Sequence, residues 1–173
     1  MLEVAPGPGY LAVEIARLGR YGVTGLDISE TMVEIATETA RRAAVRVDFR
    51  CGDVAAMAFA ANLFDLIVCQ AAFKNFSDPR AALDEMHRVL RPGGTAVIQD
   101  MNRDASNAEI AAEVAGMRLG LLNEWVTRLT LMMLRRRAYS AADFTEVATD
   151  SAFGGCAVGT DGITLEARMK RSL

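Results

Sequence analysis

Leu2-Glu3-Val4-Ala5-Pro6-Gly7-Pro8-Gly9-Tyr10 opens the chain, and its reading decides the fold. Leu2-Glu3-Val4-Ala5 is a short apolar run of strand type that stops at Pro6-Gly7-Pro8-Gly9. The pattern then passes directly into a helix, with Leu11, Ile15 and Leu18 on one face and Gly19 at its end. Strand, glycine turn and helix form the first half of a crossover unit. Working outward, the alternation repeats. Tyr21–Ile28 reads as a second strand, and Ser29 caps a helix running from Glu30 to Ala44, with Met32, Ile35, Ala36 and Thr39 on one side. Val45–Arg50 alternates as a third strand, and Phe64–Gln70, centred on Leu66-Ile67-Val68, reads as a buried fourth. Asp78-Pro79 starts a helix with proline at its first position, and its apolar face is Leu83, Met86, Val89 and Leu90. Arg91-Pro92-Gly93-Gly94 stops it before a fifth strand, Thr95–Asp100. Repeated crossovers of this length predict an α/β fold, a parallel sheet wound with helices on both faces. The last third departs from the pattern. Ala105–Arg137 is helical with a break expected near Gly116 or Gly120, and Ser140 caps a helix to about Ser151. Gly155–Thr160 and Ile163–Lys170 flank Asp161-Gly162, which predicts an antiparallel hairpin.

Composition bounds the function. The 173 residues are expected to form a single domain over 1–173, since division would leave each half a thin core. Nineteen basic and 22 acidic side chains give a net charge of −3, which argues against a general nucleic-acid binder. The longest uncharged stretch, Val54–Phe64, is 11 residues, against the roughly 20 a membrane helix needs. Met1–Ala5 already reads as a strand, so no signal peptide is expected. Cys51, Cys69 and Cys156 are odd in number and widely spaced, and His87 is the only histidine. No metal site, disulfide frame or histidine triad is predicted, and a reduced, cytoplasmic setting is expected.

The glycine turn suits two ligand classes, because glycine admits close approach and a helix N-terminus offers free N–H groups. A dinucleotide would place its pyrophosphate there, and Gly7-Pro8-Gly9-Tyr10-Leu11-Ala12 with Asp27, 18 residues past Gly9, does satisfy a loose dinucleotide pattern. Pro6 and Pro8, however, remove two N–H donors from a turn that would have to cradle a dianion, and Glu3 adds a carboxylate just before it. A carboxylate repels phosphate and attracts an ammonium group.

At this point the chain resembles the class I S-adenosylmethionine-dependent methyltransferases. Leu2-Glu3-Val4-Ala5-Pro6-Gly7-Pro8-Gly9 fits their first motif, with Ala5 where a glycine is usual. Gly25-Leu26-Asp27-Ile28-Ser29, Cys51-Gly52-Asp53-Val54, Phe64-Asp65-Leu66-Ile67-Val68 and Arg88-Val89-Leu90-Arg91-Pro92-Gly93-Gly94 match later motifs in order and spacing. The resemblance implies a Rossmann-like sheet of order 3-2-1-4-5-7-6, ending in the antiparallel hairpin. It also implies S-adenosylmethionine as cofactor, S-adenosylhomocysteine as product, and particular site residues. Glu3 would hold the methionine ammonium, and Ala5, Gly7 and Gly9 would let the backbone approach. Asp27 would accept from both ribose hydroxyls, and Ile28 would pack on adenine. Asp53 and the Val54 N–H would bind the adenine edge, and Gln70 would line the methionine moiety.

On the acceptor side, the segment after strand four lacks the Asn/Asp-Pro-Pro-aromatic signature of enzymes acting on nucleobase or amide nitrogen. Phe73-Lys74-Asn75-Phe76-Ser77-Asp78 instead looks like the ubiquinone/menaquinone-biosynthesis branch. By that resemblance Lys74 and Asn75 would orient or polarise an acceptor oxygen, and the acceptor would be a small, quinone-like or other natural-product metabolite. His87 and Arg135-Arg136-Arg137 are read as structural. Trp125, Leu129, Met133 and Leu134 belong to an apolar helical surface that could pack on the sheet, line an acceptor pocket or form a homodimer face. Family members carry helices before strand one that cover the cofactor. Strand one begins at Met1 here, so an open pocket and weak turnover are expected, and a non-catalytic cofactor-binding protein is the alternative. A nicotinamide-dependent oxidoreductase is the third reading.

Overall fold

The computed structural model describes residues 1–173. The elements follow in order as β1 (Leu2–Val4), α1 (Tyr10–Arg17), β2 (Thr24–Asp27), α2 (Glu30–Arg42), β3 (Asp48–Cys51), β4 (Phe64–Gln70), α3 (Pro79–Val89) and β5 (Leu90–Met101). Then come α4 (Asn107–Gly116), α5 (Leu121–Arg135), α6 (Ala141–Thr149), β6 (Ala157–Asp161) and β7 (Thr164–Lys170). All seven strands form one sheet in the order β3-β2-β1-β4-β5-β7-β6. The first five pair in parallel, while β7 runs antiparallel to both β5 and β6. Strand order reverses between β1 and β4, which opens a crevice at the carboxyl ends of the strands where doubly wound sheets bind ligands.

The core sits between β1, β4, β5 and β7 and the helices α3 and α6. Leu2, Ile67, Leu83, Met86, Leu90, Ile98, Phe144 and Leu165 are fully or almost fully buried there. The helix starts expected from the sequence have their partners. Ser29 Oγ accepts from the Met32 N–H at 3.3 Å, and Asp78 Oδ1 from the Ala81 N–H at 2.9 Å. Ser140 and Asp143 form a reciprocal capping box, and a second box, Ser106 with Glu109, starts α4.

Several sequence expectations need correction. Ala12 and Val13, not the Leu11/Ile15/Leu18 face, are the buried residues of α1, and Ala36 and Ala40 are those of α2, while Leu18 and Ile35 are exposed. Small alanines let these helices lie close on the sheet, so the longer side chains fall at the flanks. β3 is shifted to Asp48–Cys51, while the break between the last long helices falls at Met117–Gly120, as the sequence predicts. β5 starts at Leu90, ahead of the Pro-Gly-Gly segment, because Leu90 pairs with Phe64 across an irregularity in the ladder. The hairpin turn is Gly162-Ile163, one residue later than expected, since Asp161 pairs with Thr164. Gly162 supplies the positive φ at its first central position.

Candidate functional site

The turn after β1 is closed by its own hydrogen bonds. Ala5 lies outside the strand at φ +53°, a left-handed conformation that costs an alanine about 1 kcal/mol or more. Its N–H donates to the Leu26 carbonyl at 2.8 Å. Gly7 donates to Asp27 Oδ2 at 3.1 Å, and Gly9 donates to the Pro6 carbonyl at 2.9 Å. Pro6 and Pro8 have no N–H to offer. Every backbone donor from Ala5 to Gly9 is therefore committed, and the turn has none left for a pyrophosphate. Gly9 is required for a separate reason. Its φ is +79°, and a Cβ there would stand 2.7 Å from the Phe49 ring and 2.9 Å from the Ala36 methyl. A Cβ on Gly7 would meet nothing, so that side of the turn is open to a ligand.

Glu3 points its carboxyl into this region from the middle of β1. The residue is 3% exposed, and its Oε2 is buried with no hydrogen-bond partner. Burial pushes its carboxyl up to about 7, against a smaller opposing pull from the Ala12 amide at the uncapped start of α1. An orphaned buried carboxylate oxygen is costly unless a cation or donor completes it.

Asp27 ends β2 with one oxygen on the turn and the other on the start of α2. Oδ2 accepts from Gly7, and Oδ1 accepts from the Ser29 N–H at 2.9 Å. Each oxygen keeps a further lone pair, as a vicinal diol requires. Beyond it lies a cleft lined by Ala5, Leu26, Ile28, Gly52, Asp53, Val54 and the post-β4 loop Asn75–Asp78. Ile28 is 74% exposed at its rim, a largely uncovered apolar side chain. Asp53 Oδ1 accepts from the Ala55 N–H at 2.9 Å and so starts the 3-10 turn Val54–Ala56. It thus has a capping role as well as a place on the cleft.

The structure separates Lys74 from Asn75. Asn75 lines the cleft beside Asp53, whereas Lys74 faces a second cleft with Gln70 and Asp100. The Lys74 ammonium donates to Asp100 Oδ1 at 2.7 Å and to the Ala71 carbonyl at 2.6 Å, and its backbone N–H donates to Asp100 Oδ2 at 3.0 Å. Both side chains of this pair are nearly inaccessible, at 6% and 4%. Asp100 was not singled out from the sequence. Its only local signal is an acid closing an apolar strand. Gln70, exposed at the end of β4, makes only a 3.5 Å contact with Gln99. His87 is half-buried with its ring edge-on to Phe153 at 5.1 Å, which agrees with a structural role. No cluster of histidine, cysteine and carboxylate side chains could hold a metal ion, and the three cysteines are free.

The residues fit S-adenosylmethionine. Glu3 offers an unpaired acceptor for an ammonium, Asp27 spare lone pairs for a ribose, and Ile28 an uncovered apolar surface for a purine. The comparisons agree. Residues 2–98 match the methyltransferase domain family, and the chain belongs to it, as a class I S-adenosylmethionine-dependent methyltransferase near the ubiquinone/menaquinone branch. It is 28% identical over 104 residues to the ubiquinone biosynthesis O-methyltransferase of Coxiella burnetii, a match covering 60% of this chain and 44% of that protein. It is 34% identical over 106 residues to the ubiquinone/menaquinone biosynthesis C-methyltransferase UbiE of Roseobacter denitrificans, covering 60% and 42%. The matched region therefore spans less than half the length of these relatives. Among solved structures, the plantazolicin methyltransferase BpumL in complex with SAH superposes with a TM-score of 0.77 at 17% identity, over 99% of this chain and 75% of that one. At that identity the likeness speaks for the fold.

Proposed function

We propose that the chain transfers a methyl group from S-adenosylmethionine to a small-molecule acceptor, releasing S-adenosylhomocysteine. One observation carries this reading: a buried carboxylate with an unpartnered oxygen, Glu3, stands beside a turn whose N–H groups are all spent. That combination favours a cationic amino-acid moiety over a pyrophosphate. When bound, the cofactor supplies an electrophilic methyl on a sulfonium. The chain's own residues supply position and environment. Glu3 holds the ammonium and Asp27 the ribose hydroxyls. Ile28 would pack on adenine, and Asp53 and the Val54 N–H would meet its edge. Ala5, Gly7 and Gly9 would let the backbone approach the methionine moiety, which Gln70 would line. Lys74 stands on the acceptor side. Orientation alone can lower such a barrier by roughly 7–11 kcal/mol, so no histidine base is required.

The homology to quinone-biosynthesis enzymes of both O- and C-methylating kinds supports a ring-bearing metabolite as acceptor. No helix is long and apolar enough to cross a membrane. Calorimetry with S-adenosylhomocysteine and NAD tests the cofactor assignment. Binding of the first and not the second is expected, and the reverse would overturn it. Release of S-adenosylhomocysteine over a panel of hydroxylated aromatics then tests transfer.

A further inference from the structure

α5 turns its most apolar side to solvent. Leu121 is 89% exposed, Leu122 74% and Trp125 63%, and Val126, Leu129 and Met133 are exposed with them. Stepping along the chain by one, three or four residues, the six fall on one face of the helix. The helix meets the rest of the molecule with its other side, where Leu131 is half-buried and Arg135 donates to the Ala105 carbonyl at 2.6 Å. None of the six borders the cofactor cleft or the second cleft. The exposed face therefore lies outside the site described above. Area, charge and symmetry each bear on what covers it.

Six side chains so exposed present on the order of 700 Å² of mostly apolar surface, more than the roughly 300–600 Å² patch of a typical monomer and close to the roughly 800 Å² that each partner gives to a standard interface. A tryptophan set among leucines and a methionine is the composition of an interface anchor.

Between Leu121 and Met133 the helix carries one acid and one base, Glu124 and Arg128. Arg118, Arg136 and Arg137 stand beyond the two ends of the stripe. A lipid surface would call for cations along the whole polar flank, whereas a protein interface needs the two signs to match. The stripe itself is balanced, which favours a protein.

Glu124 and Arg128 are one turn apart on the same flank, and neither enters an ion pair within the chain. Val126 stands midway between them. A two-fold axis through Val126 lays a second α5 antiparallel to the first and exchanges the two charged positions. Arg128 of each copy then meets Glu124 of the other, and two ion pairs run along one edge of the covered stripe.

We propose that α5 is a dimer surface, on which two copies of this chain pair their helices antiparallel about Val126, cover Leu122, Trp125 and Leu129, and join Arg128 to Glu124 of the partner subunit. The pairing is independent of the methyl-transfer reading. The test is sedimentation velocity on the full chain from about 1 to 200 µM, where a monomer–dimer transition is expected for an interface of this size. Trp125→Lys should weaken dimerisation at least about 30-fold and leave the melting temperature of the monomer unchanged. Arg128→Glu and Glu124→Arg each set like charges together twice, and each alone should weaken the dimer at least about tenfold. Arg128→Glu/Glu124→Arg restores both pairs with their signs exchanged and should return to within about threefold of the parent. A chain that stays monomeric at the top of the range, a dimer indifferent to Trp125→Lys, or a double variant no tighter than the single ones would overturn the proposal. So would growth beyond a dimer, because a two-fold contact closes on itself. A monomer that co-sediments with phosphatidylglycerol vesicles would overturn it by assigning the face to an anionic lipid surface.

Discussion

Glu3→Gln separates the two things its carboxylate does. In the folded chain burial raises Glu3 from 4.5 to about 7, which corresponds to about 3 kcal/mol between its two protonation states. Access of water from the open side of the turn reduces the realised figure to about 2 kcal/mol. Because the folded value is the higher one, the folded chain holds the proton more tightly between pH 4.5 and 7. Stability therefore falls as pH rises through that window and is level above it. Glu3→Gln removes the penalty. At pH 8 the variant should melt about 4–8 °C above the parent, taking about 2–4 °C per kcal/mol for a domain of this size. Most of that gain should vanish by pH 5, where the parent's Glu3 is protonated in the fold.

Affinity moves the other way. Losing a charge-assisted hydrogen bond worth about 1.5–3 kcal/mol weakens S-adenosylhomocysteine about 10- to 100-fold at pH 8. In the parent, binding an ammonium requires ionised Glu3, so affinity should drop about tenfold per pH unit below 7, with one proton released per ligand. In Glu3→Gln that dependence should disappear. Thermal melts at pH 5 and 8, and calorimetry in two buffers of different ionisation enthalpy, read both effects. A variant that melts with the parent at pH 8 and binds within twofold of it would refute the reasoning.

Ala5→Gly relieves a left-handed alanine, and after the entropy cost of glycine it should raise stability by about 0.5–1 kcal/mol in urea titrations. Asp100→Asn strands the buried Lys74 ammonium and should cost about 3–5 kcal/mol. Lys74→Met/Asp100→Asn should recover most of that loss, because the carboxamide oxygen can still accept the backbone N–H of position 74; a double-mutant cycle in urea checks it. Ile28→Ala, at a site 74% exposed, should leave stability within about 0.5 kcal/mol while weakening S-adenosylhomocysteine about 5- to 20-fold, as seen by calorimetry.

The order of elements was readable because each parallel strand is a short apolar run closed by a turn signal, and each helix start carries its own cap. Those are local signals. Which face of a helix is buried is not local when the sheet is met by alanine. In α1 Ala12 is fully buried while the larger Leu18, just past the helix end, is exposed, since closeness to the sheet outweighs side-chain size there. The Pro92-Gly93-Gly94 segment reads as a stop because it ends α3, yet Gly94 packs where a Cβ would stand 2.8 Å from the Arg91 carbonyl and 3.2 Å from that of Asp65, inside the strand pairing.

The site divides along the same line. Glu3, Gly9, Asp27 and Asp53 are legible as candidates because each falls inside a short motif on which the family resemblance rests. Lys74 could be picked out, but its partner could not: Asp100 lies 26 residues away on the neighbouring strand, and only the β4–β5 register brings them together. That partner changes the chemistry. Alone, Lys74 would be a free cation suited to an anionic acceptor; paired and buried, it becomes half of a neutral couple. The glycine turn shows the converse. Two prolines in the sequence already removed half the argument for a phosphate, and the fold removes the other half by spending the Gly7 and Gly9 amides on Asp27 and Pro6. With no donor left between Ala5 and Gly9 and a carboxyl oxygen left unpaired beside them, the hydrogen-bond balance at this strand end favours a cation over an anion.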